Sequence, residues 1–409
     1  MSQFRRNVPL LAASQALMMS SMSLMLTAAA LVGLSLAPDK ALATLPIAVI
    51  FIAIMLTSIP AALLMDRIGR KRGFMFATLF GMTGGALASL AILHQNFWLF
   101  VVSGLFVGIF NGFGNYFRFA AADAVAPEMK SRAISMIMLG GVVAAIVGPN
   151  MANLTRNVIP ASPFAGSYMS IIGLYLLALI TLSFLQLPPH RVVNQHTPND
   201  SGRPLFTIAQ QPKFIVALLC AMLGYGIMSF VMTATPLAMH DHMHSFSDTS
   251  FVIQWHVLGM FAPSFVTGHL IQRFGVLRVM FSGAIFGLAC VAINLLGQTV
   301  THYWIALTLL GISWNFLFIG GTTLLTETYT PEERGKAQAM NDFAVFTTVT
   351  IASLTAGTLQ HHLGWQMINM GVIPLLAIVL LGIFWLAVKT RRDSISGEIR
   401  LEDALEENA

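Results

Sequence analysis

Long apolar stretches alternate with short polar segments along almost the whole chain. A helix needs about 20 mostly apolar residues to cross the hydrocarbon core of a bilayer. Twelve stretches approach or exceed that length, so the pattern predicts twelve transmembrane helices. Their predicted positions are 8–34, 42–64, 73–93, 97–122, 133–155, 164–187, 213–236, 250–271, 277–297, 302–326, 337–359 and 364–388.

One connection differs from the others. Residues 188–212 are polar and rich in proline, and they lie between the sixth and seventh predicted spans. This composition is typical of a flexible linker between two packed units. We therefore expect a first six-helix half over 1–187, a second over 213–388 and a cytoplasmic tail over 389–409.

Composition excludes most other classes of protein. The chain has 409 residues, of which 56% are hydrophobic and 10% charged, whereas soluble domains carry about 25% charged residues. A soluble globule or a disordered chain does not have this composition. An all-α integral membrane protein remains.

The basic residues predict the orientation in the membrane. Of the 22 Lys and Arg residues, nineteen lie before the first span, in every second loop after it, or in the tail. Loops rich in Lys and Arg stay on the cytoplasmic side. We therefore expect both termini in the cytoplasm and a bacterial-type inner (plasma) membrane. Charges arranged in this way do not indicate a nucleic-acid surface.

The two predicted halves repeat the sequence of their loops. Gly69 aligns with Gly275 at an offset of 206, and Asp123 aligns with Glu327 at an offset of 204. A near-constant offset indicates a duplicated six-helix unit. Many transporters are built in this way, with the binding site between the halves at the middle of the membrane.

Two loop motifs carry a family resemblance. The loop DRIGRK at 66–71 and the Pro-Glu-x-x-x-Arg/Lys loops at 127–132 and 331–336 resemble motifs of the major facilitator superfamily. The resemblance implies twelve helices in two pseudo-symmetric halves and transport by alternating access. It further implies a small-molecule substrate, with protons as a second partner. We expect a monomer in the lipid bilayer and no cofactor.

The resemblance also implies that these loops form a conformational latch. Arg70 could pair with Asp123, and Glu327 in the second copy should pair with Arg273 or Arg278. The alternative is that the loops only anchor the topology. The predicted latch residues are Asp66, Gly69, Arg70, Asp123, Arg273 and Glu327.

The fifth span contains Gly148 and Pro149. This pair frees backbone groups and narrows the helix, which predicts a hinge or a tight contact between the halves. A tolerated kink is the alternative. The pair is similar to the motif of the antiporter branch, whose later glycines are missing here.

Polar residues within the spans are candidates for the substrate site. Arg118 lies inside the fourth span, where a charge is costly and usually functional, and could bind an anionic or carbonyl group. Its alternatives are a structural pair with Asp123 or a side chain that reaches the membrane surface. The other candidates are Asn111, Asn115, Tyr116, Tyr225, Trp314 and Asn315. For the aromatic residues among them, packing is the alternative role.

Two residues are candidates for proton coupling. His256 in the eighth span has a side chain that titrates near neutral pH, although it could be a hydrogen-bonded packing residue. Asp342 in the eleventh span could carry a proton or cap a helix start. The histidines at 240, 242 and 244 could bind copper or zinc, but no closed ligand set is visible and we predict no metal site.

These features predict a secondary transporter and not an enzyme, since no phosphate-binding loop or hydrolase motif is present. It should move a small organic solute by alternating access with proton coupling, and the partial antiporter motif favours export. Uptake of a vitamin, another nutrient or an organic anion is the main alternative. A metal-binding sensor on the same fold is a further one.

Overall fold

A computed structural model describes residues 2–126, 129–187, 202–330 and 332–406. Pro127, Glu128, Pro331 and most of the predicted linker therefore lie outside the described residues. Throughout the described part the chain folds as helices without β-strands. The spanning helices are α1 (Ser2–Leu36), α2 (Leu45–Ile68), α3 (Arg70–Leu93), α4 (Phe97–Gly114, then Phe117–Asp123), α5 (Lys130–Thr155), α6 (Ala165–Ser183), α7 (Pro212–Asp241), α8 (Phe246–Phe261, then Ser264–Phe274), α9 (Val276–Leu296), α10 (Val300–Thr326), and α11 and α12, which together form Arg334–Glu406.

The helices match the predicted number of spans. Ten helical segments of the described part are long and apolar enough to cross a membrane. The last of them contains two spans, because Gly364 has φ 75° and ψ 176° and separates α11 from α12. The two segments of α8 make one further span together. The predicted all-helical membrane fold is confirmed, and the structure agrees with twelve spans.

Two spans that the sequence predicts as continuous are interrupted. The fourth breaks between Gly114 and Phe117, and the eighth breaks before Ser264. Pro263 causes the second break, since proline lacks the N–H group and clashes with the preceding turn. Hydrophobic runs report the length of a span but not an interruption inside it.

The turns after α2 and α8 have the same backbone conformation. Gly69 has φ 85° and ψ 147°, and Gly275 has φ 85° and ψ 151°. Residues with a Cβ atom rarely adopt this region. The repeated glycine in the two loops is therefore explained by the repeated turn.

Packing separates the helices into two groups. One apolar cluster is built mainly from α1–α6, and two others are built mainly from α7–α12. Between the groups, α5 packs on α8, α2 on α11, and α1 on α7. The space enclosed between the groups is where a solute can bind.

Several hydrogen bonds between the described residues join the two groups at one end of the bundle. This end is named the opposite face, because it lies opposite the basic loops, which form the basic face. Asn150 Nδ2 donates to Gln254 Oε1 at 2.7 Å, and Thr358 Oγ1 donates to the Ala41 carbonyl at 2.9 Å. These bonds join the two groups of helices at the opposite face.

Candidate substrate-binding site

A cavity of about 180 Å³ lies between the two groups of helices. Its lining is neutral, since no charged side chain of the described residues contributes to it. The apolar part consists largely of methionines and aromatic rings: Met18, Met19, Met22, Met228, Met232, Met260, Phe51, Tyr225, Phe261 and Phe346. The polar part consists of Gln15, Ser23, Asn111, Asn115, Ser229 and Thr233. A large apolar surface with a few amide and hydroxyl groups suits a neutral, partly aromatic solute.

Helical spacing brings the methionines together. Met18 and Met22 are four residues apart on α1, and Met228 and Met232 are four apart on α7, so each pair lies on one helix face. Methionine side chains are flexible and polarizable and contact aromatic rings favourably. Sequence reasoning missed this lining, because the chain has 24 methionines and only the fold distinguishes these from the rest.

The structure brings three of the seven predicted substrate-binding residues to the cavity: Asn111, Asn115 and Tyr225. Trp314 supports this wall from behind. Its ring centroid is 5.3 Å from that of Tyr225, and it stacks at 5.1 Å on Phe318.

Asn315 is the residue that bridges the break in α8. Its Nδ2 donates to the Met260 carbonyl at 2.6 Å and lies 2.7 Å from Ser264 Oγ, while its Oδ1 accepts from Thr267 Oγ1 at 2.6 Å. It is fully buried. Because Met260 lines the cavity, Asn315 shapes the site without forming part of the lining.

Arg118 and Tyr116 lie nearer the basic face, outside the lining of the cavity. Tyr116 donates its hydroxyl to the Ser58 carbonyl at 2.8 Å. Arg118 is exposed, with its guanidinium carbon 4.8 Å from the centroid of the Phe119 ring. Its expected structural partner, Asp123, pairs with Arg70 instead.

Asp342 lies toward the basic-face end of α11. Its charge interacts with that of Arg118, but no ion pair within 4.0 Å joins them in the described part of the chain. Asp342 is exposed and accepts a bond from Asn341 Nδ2 at 3.2 Å. It lies eight residues after Arg334, where α11 begins, so it does not cap the helix start.

His256 faces α10 and is not part of the cavity lining. It is fully buried, and its Nδ1 lies 2.8 Å from the Leu307 carbonyl. The helix presents its neighbours Val257 and Met260 to the cavity instead. This arrangement corresponds to the alternative of a hydrogen-bonded packing histidine.

The basic-face loops form different ion pairs in the two halves. Arg70 Nη2 lies 2.8 Å from Asp123 Oδ2, as expected. Glu327 pairs with Lys213 Nζ at 2.7 Å, so the expected partner in the second half was wrong. The guanidinium of Arg273 instead lies 5.3 Å from the centroid of the Phe274 ring.

A second ion pair in this region was not predicted. Glu333 is 2% exposed and accepts from the backbone N–H, Nε and Nη2 of Arg203 at 2.7–2.9 Å. These bonds lower the pKa of Glu333 to about 2. The pair fastens the end of the linker to the loop before α11. The repeat contains no signal for it, because Met129 is the residue aligned with Glu333.

Gly148 and Pro149 form a contact between helices, and α5 continues through them. A Cβ atom on Gly148 would lie 2.8 Å from the Ser20 carbonyl oxygen and 2.6 Å from Ser23 Cβ. The Pro149 carbonyl accepts from Ser250 Oγ, in the other group of helices, at 3.0 Å. The close approach at Gly148 is therefore to α1 of the same half, and only the Pro149 carbonyl makes a contact between the halves.

The histidines near the end of α7 are bonded to protein groups. His242 Nδ1 lies 2.7 Å from the Tyr303 hydroxyl, and His244 Nε2 lies 2.6 Å from the Gln298 carbonyl. Partial burial lowers the pKa of His242. Across the described ranges, no group of three or more His, Cys, Asp or Glu side chains could hold a metal ion.

Comparison with known proteins places this arrangement in a family. The family model of the Major Facilitator Superfamily matches residues 11–234 and 215–405. The riboflavin transporter RfnT of Brucella anthropi is 44% identical over 376 residues, which are 92% of this chain and 94% of that protein. The MFS-type transporter YdeG of Bacillus subtilis is 26% identical over 394 residues, covering 92% of this chain and 91% of that one.

A solved structure shows the same fold. The human organic anion transporter MFSD10 (TETRAN) aligns with a TM-score of 0.65, covering 93% of this chain and 99% of its own. The sequence identity is 13%, so this likeness concerns the fold alone.

Proposed function

Because the chain belongs to the major facilitator superfamily, and is therefore a multi-pass membrane transporter of a small organic solute and not an enzyme, we propose that its solute is riboflavin or a closely related flavin. The solute would bind in the central cavity and cross the membrane by alternating access. The observation that carries this proposal is the 44% identity to the riboflavin transporter of Brucella anthropi over nearly the whole of both chains.

The chemistry of the cavity supports the same solute. Riboflavin is an uncharged fused heterocycle with an imide edge, an apolar dimethylbenzene edge and a polyol chain. The lining offers methionine and aromatic surface, amide groups and hydroxyl groups, and no charge from the described residues. An organic anion would lack a cation in this cavity, because Arg118 lies outside its lining.

We further propose uptake across the inner membrane, with the basic face in the cytoplasm and the proton gradient as the energy source. The distribution of Lys and Arg supports the orientation. Asp342 supports the coupling, because it is a carboxylate about 12 Å along α11 from the helix start. A carboxylate at this depth is costly and usually functional.

Accumulation of radiolabelled riboflavin tests the proposal. Cells that cannot make riboflavin would express the wild type or the Asp342→Asn variant, with and without a protonophore. We expect accumulation by the wild type that unlabelled riboflavin competes and the protonophore abolishes, and little accumulation by the variant. Reduced accumulation relative to cells without the transporter would indicate export. No riboflavin flux in either direction, with the protein present in the membrane, would contradict the proposal.

A further inference from the structure

We propose that Gln15 of α1 recognises the imide edge of the flavin ring by accepting a hydrogen bond from its N–H group. This inference rests on the proposed function and adds a specificity-determining residue to it. The structure provides three separate supports for Gln15: an unpaired acceptor, a fixed position and a suitable set of neighbours.

The unpaired acceptor is the amide oxygen of Gln15. This Oε1 atom is buried and has no hydrogen-bond partner among the described residues, although the side chain lines the cavity. Buried polar atoms are nearly always hydrogen-bonded in native structures, and an unsatisfied one is unfavourable. A donor on the bound solute would satisfy this oxygen.

The position of Gln15 is set by close contact with α5. A Cβ atom on Gly140 would lie 3.0 Å from Gln15 Cγ and 2.9 Å from the Ala16 nitrogen. The absence of a side chain at Gly140 therefore lets α5 press directly on α1 at this level. Packed against the α5 backbone, the first part of the Gln15 side chain has little freedom.

Gln15 shares the lining of the cavity with other polar side chains. Two of them, Asn111 and Asn115, carry amides, and three others, Ser23, Ser229 and Thr233, carry hydroxyls. Ser23 lies eight residues after Gln15 on α1, about 12 Å further along the helix, so polar groups occur at both levels of α1 in the lining.

Amides and hydroxyls match the two polar parts of a flavin. An imide presents one N–H donor between two carbonyl acceptors, and an amide side chain offers both an acceptor and two donors. The Gln15 oxygen can accept from the imide N–H, while amide N–H groups of the same lining can donate to the carbonyls. The hydroxyl groups of the lining suit the polyol chain.

A comparison of two ligands with several variants tests the assignment. The ligands are riboflavin and N3-methylriboflavin, which lacks the imide hydrogen. Binding to the purified protein is followed by the change in flavin fluorescence. We expect the wild type to prefer riboflavin, and Gln15→Met to weaken riboflavin binding by about tenfold while binding of the methylated ligand changes by less than about twofold.

Ser23→Ala is the matched control. Ser23 Oγ is also buried and unpaired, but this change should affect both ligands equally and leave the preference intact. Gln15→Glu retains an acceptor and should retain the preference, and it provides the test if Gln15→Met does not fold.

Two failures are distinguishable. Unchanged riboflavin affinity in Gln15→Met, or loss of the preference in Gln15→Glu, would overturn the assignment of Gln15. A wild-type protein that binds neither flavin would overturn the proposed function itself.

Discussion

Asn111 and Asn315 occupy equivalent positions in the two halves, yet only Asn111 lines the cavity. Asn111 donates to the Val107 carbonyl of its own helix at 2.9 Å, whereas Asn315 joins both segments of α8. The difference arises in the neighbouring helix, where Thr57 of the continuous α2 aligns with Pro263 at the break in α8. The two asparagines therefore lie at equivalent positions of equivalent helices, but the neighbouring helix determines the role of each.

The charged loops show the same divergence. Asp123 has its partner Arg70 at the start of α3, but Val276 occupies the aligned position at the start of α9. Glu327 therefore binds Lys213 at the start of α7. The second half therefore retains the acidic residue of the repeat, but its cationic partner comes from a different helix.

The largest effect on stability should come from Asn315→Ala. The change removes buried hydrogen bonds and leaves the Met260 carbonyl at the break without its partner. We expect a free energy of unfolding lower by about 2–3 kcal/mol and a clearly lower Tm in thermal unfolding of the purified protein. A wild-type Tm in this variant would show that the break in α8 does not need Asn315.

Asn111→Ala should produce the opposite result. We expect riboflavin affinity to fall by about five- to tenfold, because one amide of the cavity is lost, with a Tm close to that of the wild type. Fluorescence titration and thermal unfolding on the same samples separate the two effects. Equal losses of stability in both asparagine variants would contradict the division of roles.

The pair of Glu333 and Arg203 should make stability depend on pH. The pKa of Glu333 is lowered from 4.5 to about 2 in the folded protein, so its contribution is present above pH 4.5 and is lost as the pH falls toward 2. We expect Glu333→Gln to lower the Tm by a few degrees at pH 7 and progressively less below pH 4.5. A Tm difference that is independent of pH would contradict this account.

The smallest effects on stability should come from the exposed pairs. Asp123→Asn and Glu327→Gln should each change the free energy of unfolding by less than about 1 kcal/mol, because water screens both pairs. If Arg70 and Asp123 form a latch, Asp123→Asn should slow riboflavin transport several-fold without changing affinity. A transport rate in Asp123→Asn equal to that in Glu327→Gln would contradict the latch.

Much of the fold was accessible from the sequence, because span length and charged loops are local properties. Asn111, Asn115 and Tyr225 were accessible as candidates, since polar groups inside apolar helices are costly unless they serve a role. Which way a helix faces is not a local property, and this explains why His256 packs on α10 instead of lining the cavity. The bond between Arg203 and Glu333 joins residues 130 positions apart, and no spacing rule reports such a contact.

The most direct test of the central claim is equilibrium binding of riboflavin to the purified wild type and to Arg118→Ala. The account predicts saturable binding at one site, with the same affinity in both proteins, because the cavity is neutral and Arg118 lies outside its lining. Absence of saturable binding, or its loss in Arg118→Ala, would contradict the account.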